Sequence, residues 1–397
     1  MDTTREIFVS IMIDGETVPV GRLWSYNKKG RESASFEYDK SWLMHPRRFA
    51  LEPALPTTIG QHYTEKSLFG AIGDSAPDRW GRVLMQRANT TTRTLMEIDY
   101  LLGVNDETRQ GALRFSEKES GPYLNTDNKS IPPLINLPEL FNASEKFIAD
   151  NATDEDIKLL LAPGSSLGGA WPKASVIDKD DTLAIAKFSR KDDMNDTVRW
   201  EAVALTLAKN AGINVNEFRL ESVLGNAILI VKRFDRDGQQ RIPFLSAMSM
   251  LGAFDKDGQV HSHTEIATAI TQHGAQPNKD LEKLWRRMIF EIMISNKDNH
   301  LRNHGFLYTG KGWTLSPAYD LNPDITQSNF AVTVDHTGAT NTIEGAKAVL
   351  PIFRITPARA GEILDEVRTA VSDWRKVAKQ FGITENKCER MKSAFTF

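Results

Sequence analysis

A chain of 397 residues can build two or three domains with sizeable cores. Its hydrophobic share of 40%, charged share of 25% and net charge of −3 are those of a globular protein with no electrostatic reason to bind nucleic acid directly. The single cysteine, Cys388, excludes an intramolecular disulfide and a cysteine cage for a metal, and no apolar run reaches the length of a membrane span. The opening MDTTREIFVSIMIDG lacks a basic segment followed by a long apolar core, so it does not read as a secretory signal. The expected location is the cytoplasm, with no membrane contact.

In chain order, Ile7–Ile13 and Thr17–Trp24 alternate around Asp14-Gly15 and predict a β-hairpin. Ser33–Tyr38 is a further strand, and Pro53–Gly60 reads as loop. The run GDSAPDRWGR predicts a turn over Gly73–Pro77 and then a helix carrying Trp80, Val83, Leu84 and Arg87, with Asp74 or Ser75 as its cap. Arg79 and Arg82 suit phosphate binding or, as is commoner, a structural ion pair. From Glu117 to about Asn136 the chain is rich in Ser, Gly, Asn, Lys and Pro, which marks a linker. The expected domains are therefore a β-rich N-terminal subdomain over 1–125, a nucleotide-binding lobe over 138–235 and a helical lobe over 236–397.

The second lobe opens with LLLAPGSSLGGAWPKASVI. A strand or helix end at Leu159–Ala162 meets a small-residue loop containing Ser165, Ser166, Gly168 and Gly169, followed by a strand at Ala174–Ile177. Glycines let backbone amides approach an anion and serine hydroxyls add donors, so this loop suits ATP phosphates; a plain turn fits it equally well. TLAIAKFS then alternates with Leu183, Ile185 and Lys187 on one face. Lysine is seldom buried unpaired, so Lys187 is either an edge residue or has a partner. Asn195 or Asp196 caps a helix from about Thr197 to Asn210, and Glu201 lies at the edge of its apolar stripe, which makes it the expected partner of Lys187. Ala227–Val231 is a buried-looking strand leading into Lys232-Arg233-Phe234-Asp235-Arg236, where Phe234 as core packing is an equally good reading.

Beyond Pro243 helices dominate. In LEKLWRRMIFEIMISNKDNHLRNHGFLYTGKGWTLSPAYDLNP, apolar residues at Leu281, Leu284, Met288 and Ile292 predict a helix that fails near Asn296. Gly305–Tyr308 and Trp313–Ser316 flank Thr309-Gly310-Lys311-Gly312 and predict a hairpin. A hairpin returns the chain to its start, so Asp298 and Asn303 before it should meet Asp320 after it. Two carboxylates and an amide gathered in this way suit Mg²⁺, with one carboxylate left for a proton. Taken singly, each of these residues is also common in a polar loop capping a helix. His300 lacks a Cys or Glu partner at metal spacing, which favours a positioning role over zinc binding.

The spacing of Asp298, Asn303 and Asp320 resembles the centre of protein-kinase-like enzymes. GDSAPDRWGR, SSLGGAWPKA, AKFS, RFDR, SNKDNHLRN and PAYDLNP, in this order, are similar to the HipA family of bacterial serine/threonine kinases. Many members have Arg where Trp171 stands. The resemblance implies an α+β, bilobal protein-kinase-like fold with a β-rich N-terminal lobe and a mainly helical C-terminal lobe. It implies ATP and Mg²⁺ as cofactors, with Asp298 accepting or orienting the acceptor hydroxyl proton and Asn303 and Asp320 holding the metal. Lys187, oriented by Glu201, would neutralise phosphate charge, while the serine- and glycine-rich loop, the backbone near Lys232, Phe234 and His300 would line the nucleotide site. It also implies a toxin that phosphorylates a protein substrate, an aminoacyl-tRNA synthetase in known members. A small helix-turn-helix antitoxin would restrain it, with DNA reached only through that partner, and autophosphorylation would fall on Ser165 or Ser166. A small-molecule kinase of the same architecture and a non-catalytic binding or repression partner are the rival readings.

Overall fold

Both residues of the first predicted turn, Asp14 and Gly15, take positive φ (49° and 80°), the backbone that a two-residue hairpin turn requires. They join β1 (Thr3–Ile13) to β2 (Glu16–Lys28) in antiparallel register. The computed structural model describes residues 3–91, 93–119, 121–124, 131–164, 171–254, 258–337 and 341–396; Ser165, Ser166, Gly168 and Gly169 lie outside them. The chain divides into two units, one of 1–191, 223–226 and 230–245, the other of 192–222, 227–229 and 246–397.

In the first unit β3 (Arg31–Tyr38), β4 (Gln61–Thr64) and β5 (Leu113–Ser116) complete a five-stranded sheet in the order β4-β3-β2-β1-β5, antiparallel throughout. The period-2 pattern buries Ile7, Val9 and Ile11 on β1 and Leu23 on β2. The helix predicted in GDSAPDRWGR runs over Arg79–Ala88, but its cap is Asp78, whose carboxylate accepts from the Arg79 N–H at 2.8 Å. Asp74 and Ser75 come too early, because their backbone N–H groups are taken up by the short preceding helix Gly70–Gly73. Arg82 pairs with Glu97 through two nitrogens, the structural outcome of the two readings open to it. Trp80 is buried and donates its indole N–H to the Lys173 carbonyl at 2.9 Å. Leu159–Ala162 belongs to a helix, Asp154–Gly164, and β6 (Lys173–Ile177) and β7 (Leu183–Phe188) follow as an antiparallel pair.

The RFDR sequence forms a buried ionic knot. Asp235 accepts from Arg233 Nε at 2.8 Å, from Arg236 at 2.9 Å and from the Gly111 backbone at 2.7 Å. The two arginines in turn donate to carbonyls of Glu107, Thr108, Arg109 and Gly111. Beside it Asp106 holds Arg114 and Arg241, and buried Arg109 lies 4.7 Å from the Phe115 ring centre while donating to Ser75, Leu101 and Val104. Arg233, Arg236 and Arg241 thus fasten the 101–111 turn to the 233–241 segment, and Arg109 and Arg114 brace the turn itself. Burial alone would raise the Asp235 carboxyl, but Arg233 and Arg236 hold it well below the usual carboxylate range.

The second unit centres on the helix Pro277–Met293, with Leu281, Leu284, Trp285, Met288, Ile289, Phe290 and Met293 all fully buried. It packs against the helices His263–His273 and Pro357–Ser372, which explains apolar residues around most of its circumference. Among its buried polar groups, Trp285 donates to the Ala346 carbonyl at 3.0 Å, and Asp280 accepts from the Leu315 N–H at 3.1 Å.

Replacing Asp235 by Asn leaves buried guanidinium groups without their counter-ion, so urea unfolding at pH 7 should show a loss of about 3–5 kcal/mol. Because the native carboxyl sits low, its stabilisation is complete above the ordinary carboxylate range of about 3.9 and is lost only as the pH falls through the depressed native value. The gap between wild type and Asp235→Asn should therefore hold at neutral pH and narrow only in strong acid; a constant gap at all pH values contradicts the assignment.

Candidate active site

The helix Pro277–Met293 ends where the polar sequence predicts, and its C-terminal carbonyls are taken up by the turn that follows. The Asn296 N–H bonds back to the Glu291 carbonyl at 2.9 Å, and Ser295 adopts a positive φ of 50° that turns the chain out of the helix. The loop 297–303 then closes on itself. The Asn303 side-chain amide donates to the Asp298 carbonyl at 3.0 Å, and the Asn303 N–H donates to the His300 carbonyl at 2.8 Å. Asn299 is buried and donates to Glu291 Oε2 at 2.6 Å, anchoring the loop to the helix behind it.

The hairpin forms where the sequence places it. Gly305–Tyr308 pairs with Trp313–Leu315, Phe306 opposite Leu315 and Tyr308 opposite Trp313, with Gly310 and Gly312 at positive φ in the turn. After it, the Tyr319 hydroxyl donates to the Arg302 carbonyl at 2.6 Å, and the Asn322 N–H donates to Asn296 Oδ1 at 3.1 Å. Asp320 sits between these ties with φ of 52°, a left-handed conformation that Asp tolerates better than most residues. The segment beyond it returns once more, with Lys297 donating to the Gln327 carbonyl and Ala331 to the Lys297 carbonyl.

The two carboxylates act on each other through their charge. Asp298 has an exposed side, yet the packing around its carboxyl raises its pKa above the ordinary value. The negative charges of Asp320 and Asp324 push it further, while His300 and a hydrogen bond from Gln327 pull against them. Asn303 is buried and spends its amide nitrogen on the Asp298 carbonyl, so its Oδ1 is the atom available to a cation. Two repelling carboxylates with an amide oxygen form an all-oxygen donor set, which fits a hard divalent ion such as Mg²⁺.

The other predicted residues are distributed over both units. Lys187 lies on the half-exposed face of β7 with Leu183 and Ile185, while Ala184, Ala186 and Phe188 point into the core. Directly opposite it in the β6–β7 register stands Lys173, which is buried. Opposed residues of an antiparallel pair project to the same face, so two ammonium groups share one face here. From the sequence alone Lys173 is the tail of a small-residue loop, and only the strand register puts it opposite Lys187. Glu201 is buried in the helix Thr197–Asn210 of the second unit, whereas Lys187 belongs to the first. Lys232 is paired with Asp180 at 3.3 Å, and the Phe234 ring lies 5.9 Å from that of Phe244.

Comparison with known proteins adds three findings. The chain matches the family described as HipA-like C-terminal domain over residues 165–375 and the HipA N-terminal domain over residues 10–116. A Haemophilus influenzae protein named "Putative kinase" is 28% identical over 223 residues, covering 51% of this chain and 61% of that one. A Sinorhizobium fredii protein of similar name, Y4mE, is 29% identical over 135 residues, 32% of each chain. The matches thus span less than two thirds of these relatives' length. The Shewanella oneidensis MR-1 structure described as a toxin–antitoxin complex of HipA, HipB and operator DNA superposes with a TM-score of 0.67 at 16% identity. That match covers 97% of this chain and 94% of that one, which establishes the same α+β, kinase-like fold. Among the described residues no helix is long and apolar enough to cross a membrane.

If Asp320 adds to the upward shift of Asp298, then Asp320→Asn must lower the Asp298 pKa. Carbon-detected NMR titration of the Asp side chains, without added metal, measures this. An Asp298 titration that does not move would mean the two carboxyls are not neighbours.

Proposed function

The chain belongs to the HipA family, and from that premise we propose that it is an ATP-dependent serine/threonine protein kinase acting as the toxin of a toxin–antitoxin pair. The observation that carries the reading is the gathering of Asp298, Asn303 and Asp320 at one end of a hairpin, with Asp298 held by its own loop. Phosphoryl transfer needs little covalent help from a protein, and positioning with charge compensation supplies most of the rate.

In this reading Asp298 receives or orients the proton of the acceptor hydroxyl. Its raised pKa makes it a better base than an ordinary surface carboxylate. Asn303 Oδ1 and the Asp320 carboxylate hold Mg²⁺, which when bound neutralises charge on the nucleotide phosphates. Lys187 is assigned to the phosphates, with Glu201 as its orienting carboxylate, and Lys173 adds a second positive charge on the face of Lys187. The backbone near Lys232, together with Phe234 and the small-residue loop containing Gly168 and Gly169, is assigned to the nucleotide, and His300 to holding the Asp298 loop. Ser165 and Ser166 are the proposed autophosphorylation sites, where a dianionic phosphate would repel those of ATP.

The acceptor is proposed to be a protein, an aminoacyl-tRNA synthetase on the family resemblance, in the cytoplasm. The Shewanella HipA structure includes HipB and operator DNA, and this supports a small helix-turn-helix antitoxin as partner here, with DNA reached through it. A small-molecule kinase is the second reading, favoured by nothing in the site itself.

Incubation of the protein with labelled ATP, Mg²⁺ and host lysate should label a discrete protein band; label confined to small molecules would decide for the second reading. Asp298→Ala should reduce transfer by at least about 10²-fold with an unchanged circular dichroism spectrum. Normal turnover by that variant refutes the assignment. Replacing both Ser165 and Ser166 by Ala should prevent loss of activity on preincubation with ATP, as followed by mass spectrometry of the loop peptide.

A further inference from the structure

Behind the loop that carries Asp298, three buried side chains converge: His263 at the start of the helix His263–His273, Glu291 near the end of Pro277–Met293, and His304 directly before the hairpin. Each is at most 2% exposed, and one ligand-type atom from each lies within 4.8 Å of the others. None of them has a part in the phosphoryl-transfer reading.

The hydrogen bonding of this cluster is incomplete in an informative way. His263 Nδ1 faces the Thr333 carbonyl at 2.9 Å, and a carbonyl only accepts, so Nδ1 carries the proton. In a neutral ring Nε2 is then a lone pair, and it points at Glu291 Oε2 3.2 Å away, another lone pair. That carboxylate oxygen already accepts from Asn299 at 2.6 Å. Two acceptors in contact need a cation between them. A single proton there would satisfy His263 and Glu291 but nothing else. His304 lies edge-on to His263, its ring centre 5.3 Å away, and neither of its nitrogens has a hydrogen-bond partner among the described residues. A neutral imidazole in that position offers a lone pair with nothing to receive it.

We propose that His263 Nε2, Glu291 Oε2 and a ring nitrogen of His304 form a buried site for a divalent transition-metal ion of the Zn²⁺ class. Two imidazoles and one carboxylate are a common zinc ligand set, and tetrahedral coordination at about 2.0–2.1 Å puts ligand atoms roughly 3.3 Å apart. The His263–Glu291 separation of 3.2 Å already matches, and a rotation of the His304 ring closes the third side. Outer contacts of the expected kind are in place: the Thr333 carbonyl orients His263, and Asn299 orients Glu291. Arg287, one turn before Glu291, sends its Nη2 to the Ser316 carbonyl at 2.7 Å, and its charge also acts on Glu291. The site is separate in chemistry from the oxygen-only set at Asn303 and Asp320, because imidazole is a poor donor for Mg²⁺. Its consequence is mechanical. The ion would fix Glu291, which holds Asn299, and His304, which follows Asn303, so both ends of the 298–303 loop would be braced from behind.

The test uses the full chain, stripped of metal by chelation and reloaded with Zn²⁺ or Co²⁺ alone, with Mg²⁺ in excess throughout. One equivalent should survive gel filtration by elemental mass spectrometry, the melting temperature should rise on reloading, and bound Co²⁺ should show the visible bands of a low-coordinate nitrogen–oxygen site. Glu291→Gln and His304→Ala should weaken retention at least tenfold, whereas His273→Ala should not. Should these variants fail to fold, X-ray absorption of the wild-type zinc form decides: two imidazoles and a carboxylate support the site. No stoichiometric retention by wild type, retention unchanged in folded variants, or an absorption spectrum without imidazole overturns it; in the first case the cluster carries a shared proton only.

Discussion

A helix that buries nearly its whole circumference cannot leave a carboxylate unpaired, and this constraint shapes the centre of the second unit. Glu291 is 2% exposed; Asn299 donates to it, and His263 Nε2 lies 3.2 Å from the same carboxylate oxygen. Asn299 adjoins Asp298, so satisfying a buried group one turn inside the helix fixes where an exposed functional carboxylate can sit. Asp280 does the same at the other end, capturing the Leu315 N–H and fastening the returning strand of the hairpin to the helix. The loop between these anchors needs little rigidity of its own, since both ends are held by groups that would be costly to release.

The first unit meets the same problem with charge. Arg109, Arg233, Arg236 and Arg241 are all buried or nearly so, and Asp106 and Asp235 serve them together with backbone carbonyls of the 101–111 turn. Such a network contributes less to net stability than an apolar core of equal volume, but it tolerates few alternative arrangements. Its effect is to fix the strand-end residues around Lys232 and Phe234 relative to the N-terminal sheet. The RFDR sequence is therefore an architectural element within its own unit, and any role toward a nucleotide passes through the geometry it imposes.

Charge placement at the two ends of the proposed chemistry is opposite in sign. Asp298 and Asp320 repel each other at the hairpin, whereas Lys173 and Lys187 are paired across β6 and β7.

Sequence alone determined the features governed by short-range rules. The Asp14-Gly15 turn, the end of the helix near Asn296 and the hairpin around Gly310 all follow from periodicity and turn chemistry within about forty residues. What it missed depended on distance or on competition between neighbours. Asp78 displaced Asp74 and Ser75 as the helix cap because an unexpected short helix had already used the earlier positions. Lys173 became visible only when strand register put it opposite Lys187. His304 has no metal partner nearby in sequence, because His263 lies 41 positions before it and Glu291 on a separate helix; only tertiary packing brings three such groups together, since side chains far apart along the chain meet according to which faces must be buried and not according to any local pattern.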